Sequence, residues 1–250
     1  MRPSTDNLGF ATGSDSSTRR EQAIAATEAV GLTIGSVIAG IGAVLIVAIA
    51  TQATGLPSTD AFQILRSRAI QIGFLAVVLV YLAIREYPSN SISFRVPSLQ
   101  GGVWIIAILV LSAGVGFVLE PFLAAVGIAQ PTSSTGLAIN NFGTRPLLWL
   151  AVFVGWFVFA APVEELLFRG IIQGRLRQTF DVVPGILLAA VCFGLMHVPV
   201  AALSTGMEPA SAFIESSVGG AIFGFAYERT ENLLIPSVAH AMLWTSAFVL

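Results

Sequence analysis

The chain has 250 residues and a formal net charge of −2, and 55% of its residues are hydrophobic while only 10% are charged. Its mean hydropathy is +0.85, and soluble domains carry about 25% charged residues, so the composition excludes a water-soluble fold. The twelve basic residues are all arginines scattered along the chain. They form no basic run that would bind nucleic acid, and we expect no nucleic-acid partner.

The first residues differ in composition from the rest of the chain. Residues 1–25 are rich in Ser, Thr, Asp and Gly, and they offer too little apolar surface to offset the entropy of ordering. We therefore predict a disordered polar tail over 1–25. The apolar run begins only near Gly31, which is not the pattern of a cleaved signal peptide, so the first span is expected to be retained.

Apolar stretches of about 20 residues predict an all-α, polytopic transmembrane helical bundle. We assign N-terminal membrane helices to 26–145 and a second group to 146–250. The apolar segment after Pro121 is interpreted as a kinked extension or a half-inserted helix, which gives seven spans, or eight if it crosses as well. The polar run at 129–145 is predicted to be a surface loop. The predicted spans are 29–51, 69–86, 102–120, 146–178, 183–198, 210–227 and 233–250.

The arginines predict the orientation, because cytoplasmic loops near membrane spans accumulate basic residues. With a cytoplasmic N-terminus, nine arginines lie on the inner side and three on the outer side. We therefore expect a multi-pass protein of the cell membrane, in contact with lipid. Two pairs of glycines four residues apart, Gly31 with Gly35 and Gly220 with Gly224, predict close approach between neighbouring helices. The single cysteine, Cys192, is interpreted as a small buried hydrophobe.

Two adjacent carboxylates, Glu164 and Glu165, follow a long apolar run. An ionisable side chain at membrane depth costs at least about 2.5–3.5 kcal/mol, so it requires a partner, a water-filled cavity or a function. Glu165 and Arg169 share a helix face and are predicted to pair. Glu164 points about 100° away and remains free to act as a base. The alternative is a buried Glu–Arg pair that only fixes helix packing.

The two histidines, His197 and His240, also lie in apolar segments. Either one could simply hydrogen-bond a backbone carbonyl. Counted from the inner helix ends at 1.5 Å per residue, Glu164, His197 and His240 lie at depths of about 21, 20 and 10 Å. With helix tilt, all three are expected to line one cavity inside the bilayer.

Two chemistries fit one glutamate and two histidines. In the first, Glu164 and His197 activate water and His240 donates to the oxyanion, without a metal or other cofactor. In the second, the three side chains hold zinc with one open position. The chain has no His-Glu-x-x-His helix, so we favour the metal-free form. A proton relay in a small transporter is a third possibility. Two further intramembrane acids, Glu120 and Glu215, are expected to have no role in chemistry.

These residues resemble the motifs of the CPBP intramembrane proteases, which include the CAAX prenyl endopeptidases and the Abi or bacteriocin-processing proteins. Three family motifs have counterparts in this order, over roughly 146–245. The first is Glu-Glu-x-x-x-Arg, at Glu164, Glu165 and Arg169; the second is Phe-x-x-x-His, at Phe193 and His197; the third is the late histidine, His240.

The resemblance implies an endopeptidase that acts on peptides or proteins in the membrane. Glu164, His197 and His240 would be catalytic, and Glu165, Arg169, Phe193 and Trp244 would support them. The chain departs from the family at Trp244, where the family usually has Asn. This departure keeps open a catalytically weak or inactive member that binds a peptide or serves in immunity.

Overall fold

The computed structural model describes residues 12–55, 59–85, 92–128, 145–203 and 208–246, and all regular structure in this part of the chain is helical. The predicted all-α polytopic bundle is confirmed. We number the helices α1 Thr12–Thr54, α2 Asp60–Ser67, α3 Ala69–Ile84, α4 Leu99–Ala125, α5 Pro146–Leu176, α6 Val182–Ala202, α7 Pro209–Thr230 and α8 Leu234–Ser246.

Five segments of the described chain are long and apolar enough to cross a membrane: α1, α2 with α3, α4, α5 and α6. The helix α7 is too polar to meet the same criterion, and the apolar part of α8, Leu234–Thr245, is shorter than a span. Length and composition therefore support five spans, and the predicted number of seven or eight is not confirmed. The predicted orientation of the N-terminus stays a prediction.

The helix α1 begins at Thr12, so a disordered tail reaching residue 25 is wrong for its second half. The first eleven residues of that predicted tail lie outside the described part of the chain. The start of α1 is held by tertiary contacts that composition does not reveal. Gln22 donates a hydrogen bond from Nε2 to the carbonyl of Thr179 at 3.2 Å, and Ala25 is fully buried.

The short helix α2 was not predicted. Thr59 caps it, because its hydroxyl accepts a hydrogen bond from the backbone N–H of Phe62 at 3.3 Å. Ile64 is its buried anchor, and α2 packs against the start of α5. Eight amphipathic residues are too few to produce the apolar run by which membrane spans are recognised.

The helix α4 runs without interruption through Pro121 to Ala125. The segment after Glu120 is therefore the predicted extension of this helix rather than a separate eighth span. Gly127 ends the helical region with a φ of +83°, a conformation that glycine adopts at little cost. Of the predicted loop at 129–145, all but Arg145 lies outside the described residues.

Glycine contacts agree with one of the two predicted helix pairings. A Cβ at Gly31 or Gly35 would meet nothing within 4 Å, so the predicted close approach at this pair is wrong. At Gly220 a Cβ would lie 3.2 Å from the Cα of Ala190, which confirms close packing of α7 on α6. The four-residue spacing places both α1 glycines on one helix face, but that face packs against no neighbour in the described chain.

The closest approach involving α1 lies further along the helix, against α3. A Cβ at Gly73 would lie 2.3 Å from the backbone carbon of Ala39 and from the backbone nitrogen of Gly40. The two helix backbones therefore touch at this point, and α3 is held firmly against α1.

A short extended segment, 92–98, positions the last helix. Asn232, in the turn between α7 and α8, accepts a hydrogen bond from the N–H of Arg95 at 3.0 Å and donates to its carbonyl at 2.7 Å. The preceding residue, Glu231, has a left-handed φ of 47° and caps α7. These contacts set where α8 starts and thus the depth of His240.

Candidate active site

The helix α5 lies at the centre of the bundle and carries both carboxylates. Leu167, Phe168 and Ile171 on this helix are fully buried. Glu164 and Glu165 lie in a short α-helical stretch, Ala161–Glu165, between two π-helical stretches. Such wider turns are uncommon and occur frequently at functional sites.

Glu165 is the fully buried hub of an ion-pair cluster. Its Oε2 lies 3.0 Å from Nε of Arg169, as the four-residue spacing predicts, and its Oε1 accepts a hydrogen bond from Nδ1 of His240 at 2.9 Å. Arg169 also donates to the carbonyl of Gly220 on α7 at 3.1 Å. Glu165 and Arg169 thereby connect α5 to α7 and α8 and leave Glu164 outside the pair.

Arg169 is also enclosed by aromatic rings. Its guanidinium carbon lies 4.5 Å from the ring centre of Phe193 and 5.3 Å from that of Phe223. Cation–π contacts of this kind stabilise a cation that has lost its water.

Glu164 is 8% exposed and has two polar neighbours on other helices. Its Oε1 accepts a hydrogen bond from Nε2 of Gln71, on α3, at 2.7 Å. Its Oε2 lies 3.8 Å from Nε2 of His240, on α8. Oε2 is therefore the oxygen that faces the imidazole. The contact also shows that His240 reaches the level of Glu164 despite the shallower depth estimated by counting residues.

His197 lies on α6 and is held in one tautomer. Its Nδ1 is 2.8 Å from the carbonyl oxygen of Phe193, which can only accept, so Nδ1 carries the proton and donates. The other nitrogen, Nε2, keeps its lone pair and can accept a proton or bind a metal ion. Glu164 and His240 are both close enough to interact electrostatically with His197.

Phe193 separates and orients the two imidazoles. Its ring centre is 4.7 Å from that of His197 and 5.7 Å from that of His240, with edge-to-face geometry in both pairs. Phe223 stacks on the other side of His240 at 5.0 Å. The aromatic rings restrict how far either imidazole can turn.

Trp244 contacts His240 directly. Its indole N–H donates to Nε2 of His240 at 2.9 Å. Because Nδ1 of the same ring donates to Glu165, the imidazole is neutral and holds its proton on Nδ1. In this arrangement Nε2 is an acceptor and cannot also donate to an oxyanion.

The sequence-predicted site residues therefore meet in one region of the bundle. Glu164, Glu165 and His240 are in direct contact, and His197 joins them across Phe193. Together with Gln71, five polar side chains from α3, α5, α6 and α8 share a site enclosed by apolar and aromatic side chains.

Comparisons with known proteins find similarity to membrane peptidases. Residues 146–245 match the model of the type II CAAX prenyl endopeptidase Rce1-like family. This match over two fifths of the chain supports a relation to the CPBP family of CAAX proteases. It is also similar to the Bacillus subtilis (strain 168) protein named "Putative membrane peptidase YdiL", with 25% identity over 186 residues that cover 72% of this chain and 69% of that protein. No solved structure matches the chain.

The segment that matches the Rce1-like model contains α5, α6, α7 and most of α8. It therefore includes Glu164, Glu165, Arg169, Phe193, His197, His240 and Trp244. Within the described residues, no group of three or more His, Cys, Asp or Glu side chains is arranged to hold a metal ion. A zinc site built from Glu164, His197 and His240 would need Nε2 of His240, which Trp244 occupies.

One polar residue of the site, Gln71, was missed in the sequence. It lies outside the segment that matches the CPBP family, on α3, and it is 3% exposed. The available signal was a polar side chain between Ala69 and Ile84, a stretch that is otherwise almost wholly apolar. A carboxamide in such a stretch must find a hydrogen-bond partner inside the bundle.

Proposed function

We propose that the chain is an intramembrane endopeptidase that hydrolyses peptide bonds with a water molecule activated by Glu164 and His197. The observation that carries this proposal is the burial of Glu164 in an apolar bundle, within 2.7 Å of Gln71 and 3.8 Å of His240. A carboxylate in this position is costly for a membrane helix unless the protein uses it. The family match and the similarity to YdiL support a peptidase in particular.

The proposed reaction begins with a water molecule beside Glu164. The carboxylate takes one proton while Nε2 of His197 accepts a hydrogen bond, and the water oxygen attacks the carbonyl carbon of the peptide. The resulting oxyanion requires a hydrogen-bond donor, the role proposed for His240. When the oxyanion collapses, the C–N bond breaks and the proton held by Glu164 passes to the leaving amine.

Trp244 limits when His240 can donate a hydrogen bond to the oxyanion. His240 can donate from Nε2 only after the indole N–H has left that nitrogen and the nitrogen has taken up a proton from solvent water, because it has a single lone pair. The carboxylate of Glu165 on Nδ1 keeps the ring in place during this exchange.

The same contact supports a second candidate function. If Trp244 does not leave His240, the site has no oxyanion donor from that residue, and the chain would bind a peptide without cleaving it efficiently. Loss of a single oxyanion donor costs about 10²–10³ in rate in other proteases. A peptide-binding or immunity protein is therefore the alternative.

The test is hydrolysis of a panel of fluorogenic peptides by the purified chain in detergent and in liposomes. We expect Glu164→Gln and His197→Ala each to lower kcat by at least about 10²-fold, as loss of a general base does. Glu215→Gln is a matched control, because Glu215 is a half-buried acid on α7 whose carboxylate accepts a hydrogen bond from Ser211 on its own helix at 2.5 Å. This variant should keep the wild-type rate.

The outcomes separate the candidates. Cleavage that survives Glu164→Gln would contradict the proposed mechanism, and tight peptide binding without turnover would favour the binding protein. The zinc-dependent form predicts stoichiometric metal in the purified protein and loss of activity in a strong chelator. The metal-free form predicts that the activity is the same with and without the chelator.

A further inference from the structure

Gln71 supplies the site with a polar contact from outside the family-matched segment. Its side chain is 3% exposed, and its Nε2 donates to Oε1 of Glu164 at 2.7 Å. The two residues are 93 positions apart in the chain, so the contact exists only because α3 packs beside α5.

The hydrogen bond determines which way the Glu164 carboxylate faces. With Oε1 held by the amide of Gln71, the second oxygen, Oε2, is directed to the side of His240. Arg68 and Arg169 also interact with Glu164 electrostatically, but the short charge-assisted hydrogen bond from Gln71 is directional and selects the orientation of the carboxylate. The proposed base is thereby pre-oriented before a substrate arrives.

Gln71 itself is held in place by its helix. Two residues further along α3, a Cβ at Gly73 would lie 2.3 Å from the backbone of Ala39 and Gly40 on α1. Because α3 cannot shift toward α1, the backbone that carries Gln71 is fixed on that side. Pre-organisation of this kind keeps a catalytic group within the narrow range of productive positions.

The other polar atom of Gln71 is an acceptor without a donor. Its carbonyl oxygen Oε1 is buried and has no hydrogen-bond partner among the described residues. Buried polar groups are nearly always paired, and an unpaired one is a place where a ligand or a water molecule binds. This oxygen is bonded to the same amide carbon as the nitrogen that contacts Glu164, so it lies beside the proposed base.

We infer that Gln71 is a positioning residue for the water molecule that Glu164 activates, an inference that rests on the proposed peptidase function. The amide N–H orients the carboxylate, and the amide oxygen accepts a hydrogen bond from the water. Of the two protons of that water, one is directed to Oε2 of Glu164 and is transferred. The other is shared between Oε1 of Gln71 and Nε2 of His197 and stays on the water oxygen. The arrangement aims the lone pair of the water oxygen at the substrate carbonyl.

The test compares Gln71→Met with the wild type in the peptide-cleavage assay. Methionine keeps the length and flexibility of glutamine and removes both polar atoms. We expect kcat to fall by about 10- to 100-fold, as for a catalytic group misplaced by about 1 Å, and KM to change by less than about twofold. Gln71→Asn retains both polar atoms on a shorter side chain, and its kcat should lie between those of Gln71→Met and the wild type.

Gln173 provides the matched control. It is a glutamine of similar burial, 1% exposed, and it lies at the interface between α5 and α7. Its Nε2 donates a hydrogen bond to the carbonyl of Gly224 at 3.1 Å. Gln173→Met makes the same chemical change without touching Glu164, His197 or His240. It should keep the wild-type kcat.

A second measurement separates positioning from loss of folding. In a Glu164→Gln background, which binds peptide without cleaving it, adding Gln71→Met should leave peptide affinity within about twofold. A wild-type kcat in Gln71→Met beside an inactive Glu164→Gln, or a defect seen in KM and peptide affinity alone, would overturn the role of Gln71. Absence of any Glu164-dependent cleavage in the wild type would overturn the proposed function, and this inference with it.

Discussion

The contact between Trp244 and His240 sets the chemical state of the site at the scale of single residues. The indole N–H and the Glu165 carboxylate contact opposite nitrogens of one imidazole, at 2.9 Å each. Each contact selects the same tautomer, with the proton on Nδ1. A donor role for His240 therefore begins with the loss of one hydrogen bond, which contributes about 0.5–1.5 kcal/mol in proteins.

Trp244→Phe should make the proposed peptidase faster. Phenylalanine retains an aromatic ring and removes the N–H. Nε2 of His240 is then free of the indole, and the reaction no longer has to break that hydrogen bond. We expect kcat to rise by about two- to tenfold, the rate equivalent of one net hydrogen bond.

Trp104→Phe controls for the chemical change, because Trp104 packs against Phe225 on α7, with ring centres 6.1 Å apart, and contacts none of the proposed catalytic residues. Its kcat should equal that of the wild type. A tenfold or greater fall in kcat for Trp244→Phe alone would show that the reaction uses the indole N–H.

The residue pattern predicts much of the site and misses two contacts for physical reasons. The four-residue spacing of Glu165 and Arg169 is a local helical relation, so their ion pair is readable from the chain and the structure agrees. The contacts of Gln71 with Glu164 and of Glu165 with His240 join positions 93 and 75 residues apart. Helix packing decides such long-range contacts, and hydropathy carries no information about them.

At the scale of helices, the crossing of α1 and α3 is the tightest contact that supports the site. Their backbones meet at Gly73 and Gly40, where a Cβ on Gly73 would lie 2.3 Å from main-chain atoms. Main-chain atoms cannot move aside as a side-chain end can. The periodicity of the apolar residues identifies both helices, but it does not distinguish these glycines from Gly31 and Gly35, which touch nothing.

Gly73→Ala should destabilise the protein by about 1–3 kcal/mol, the usual cost of an overpacked contact. The added methyl group forces α1 and α3 apart. Since α3 carries Gln71, peptide cleavage should fall as well. Thermal unfolding in detergent, followed by circular dichroism, measures the change in stability.

Gly35→Ala is the matched variant, because it lies on α1 and a Cβ there meets nothing within 4 Å. Alanine favours a helix over glycine by up to about 1 kcal/mol, so this variant should be as stable as the wild type or slightly more stable. Equal stability of Gly73→Ala and Gly35→Ala would contradict the close helix contact.

For the whole molecule, the ends of the helices carry the charged contacts and the middle carries the proposed chemistry. Glu28 pairs with Arg85 and with Arg175 at one end of the bundle, and Asp60 pairs with Arg145 at the other. The first group lies on the side predicted to be cytoplasmic. Arg85 and the Asp60–Arg145 pair are exposed, while Glu28 and Arg175 are partly buried. Exposed pairs contribute little to stability, and these contacts serve here to mark the two ends of the bundle.

The predicted orientation can be measured on α1 alone. In a Cys192→Ala background, single cysteines replace two exposed residues of this helix, Ala23 and Ala53. They are 30 positions apart, about 45 Å along a helix, which exceeds the roughly 30 Å of hydrocarbon. A membrane-impermeant maleimide should label Ala53→Cys in intact cells and Ala23→Cys only after permeabilisation. The reverse pattern would place the N-terminus outside.

Arg169 and His240 both contact the Glu165 carboxylate, and this has a consequence for the order in which the site assembles during membrane insertion. Helices of a polytopic protein enter the bilayer in the order in which they are synthesised, and His240 lies on the last of the described helices. A nascent chain that has inserted α1 to α7 already holds Glu164 and His197 but lacks His240, the imidazole that contacts both carboxylates. Under the proposed mechanism, the protease becomes competent only after α8 has joined the bundle.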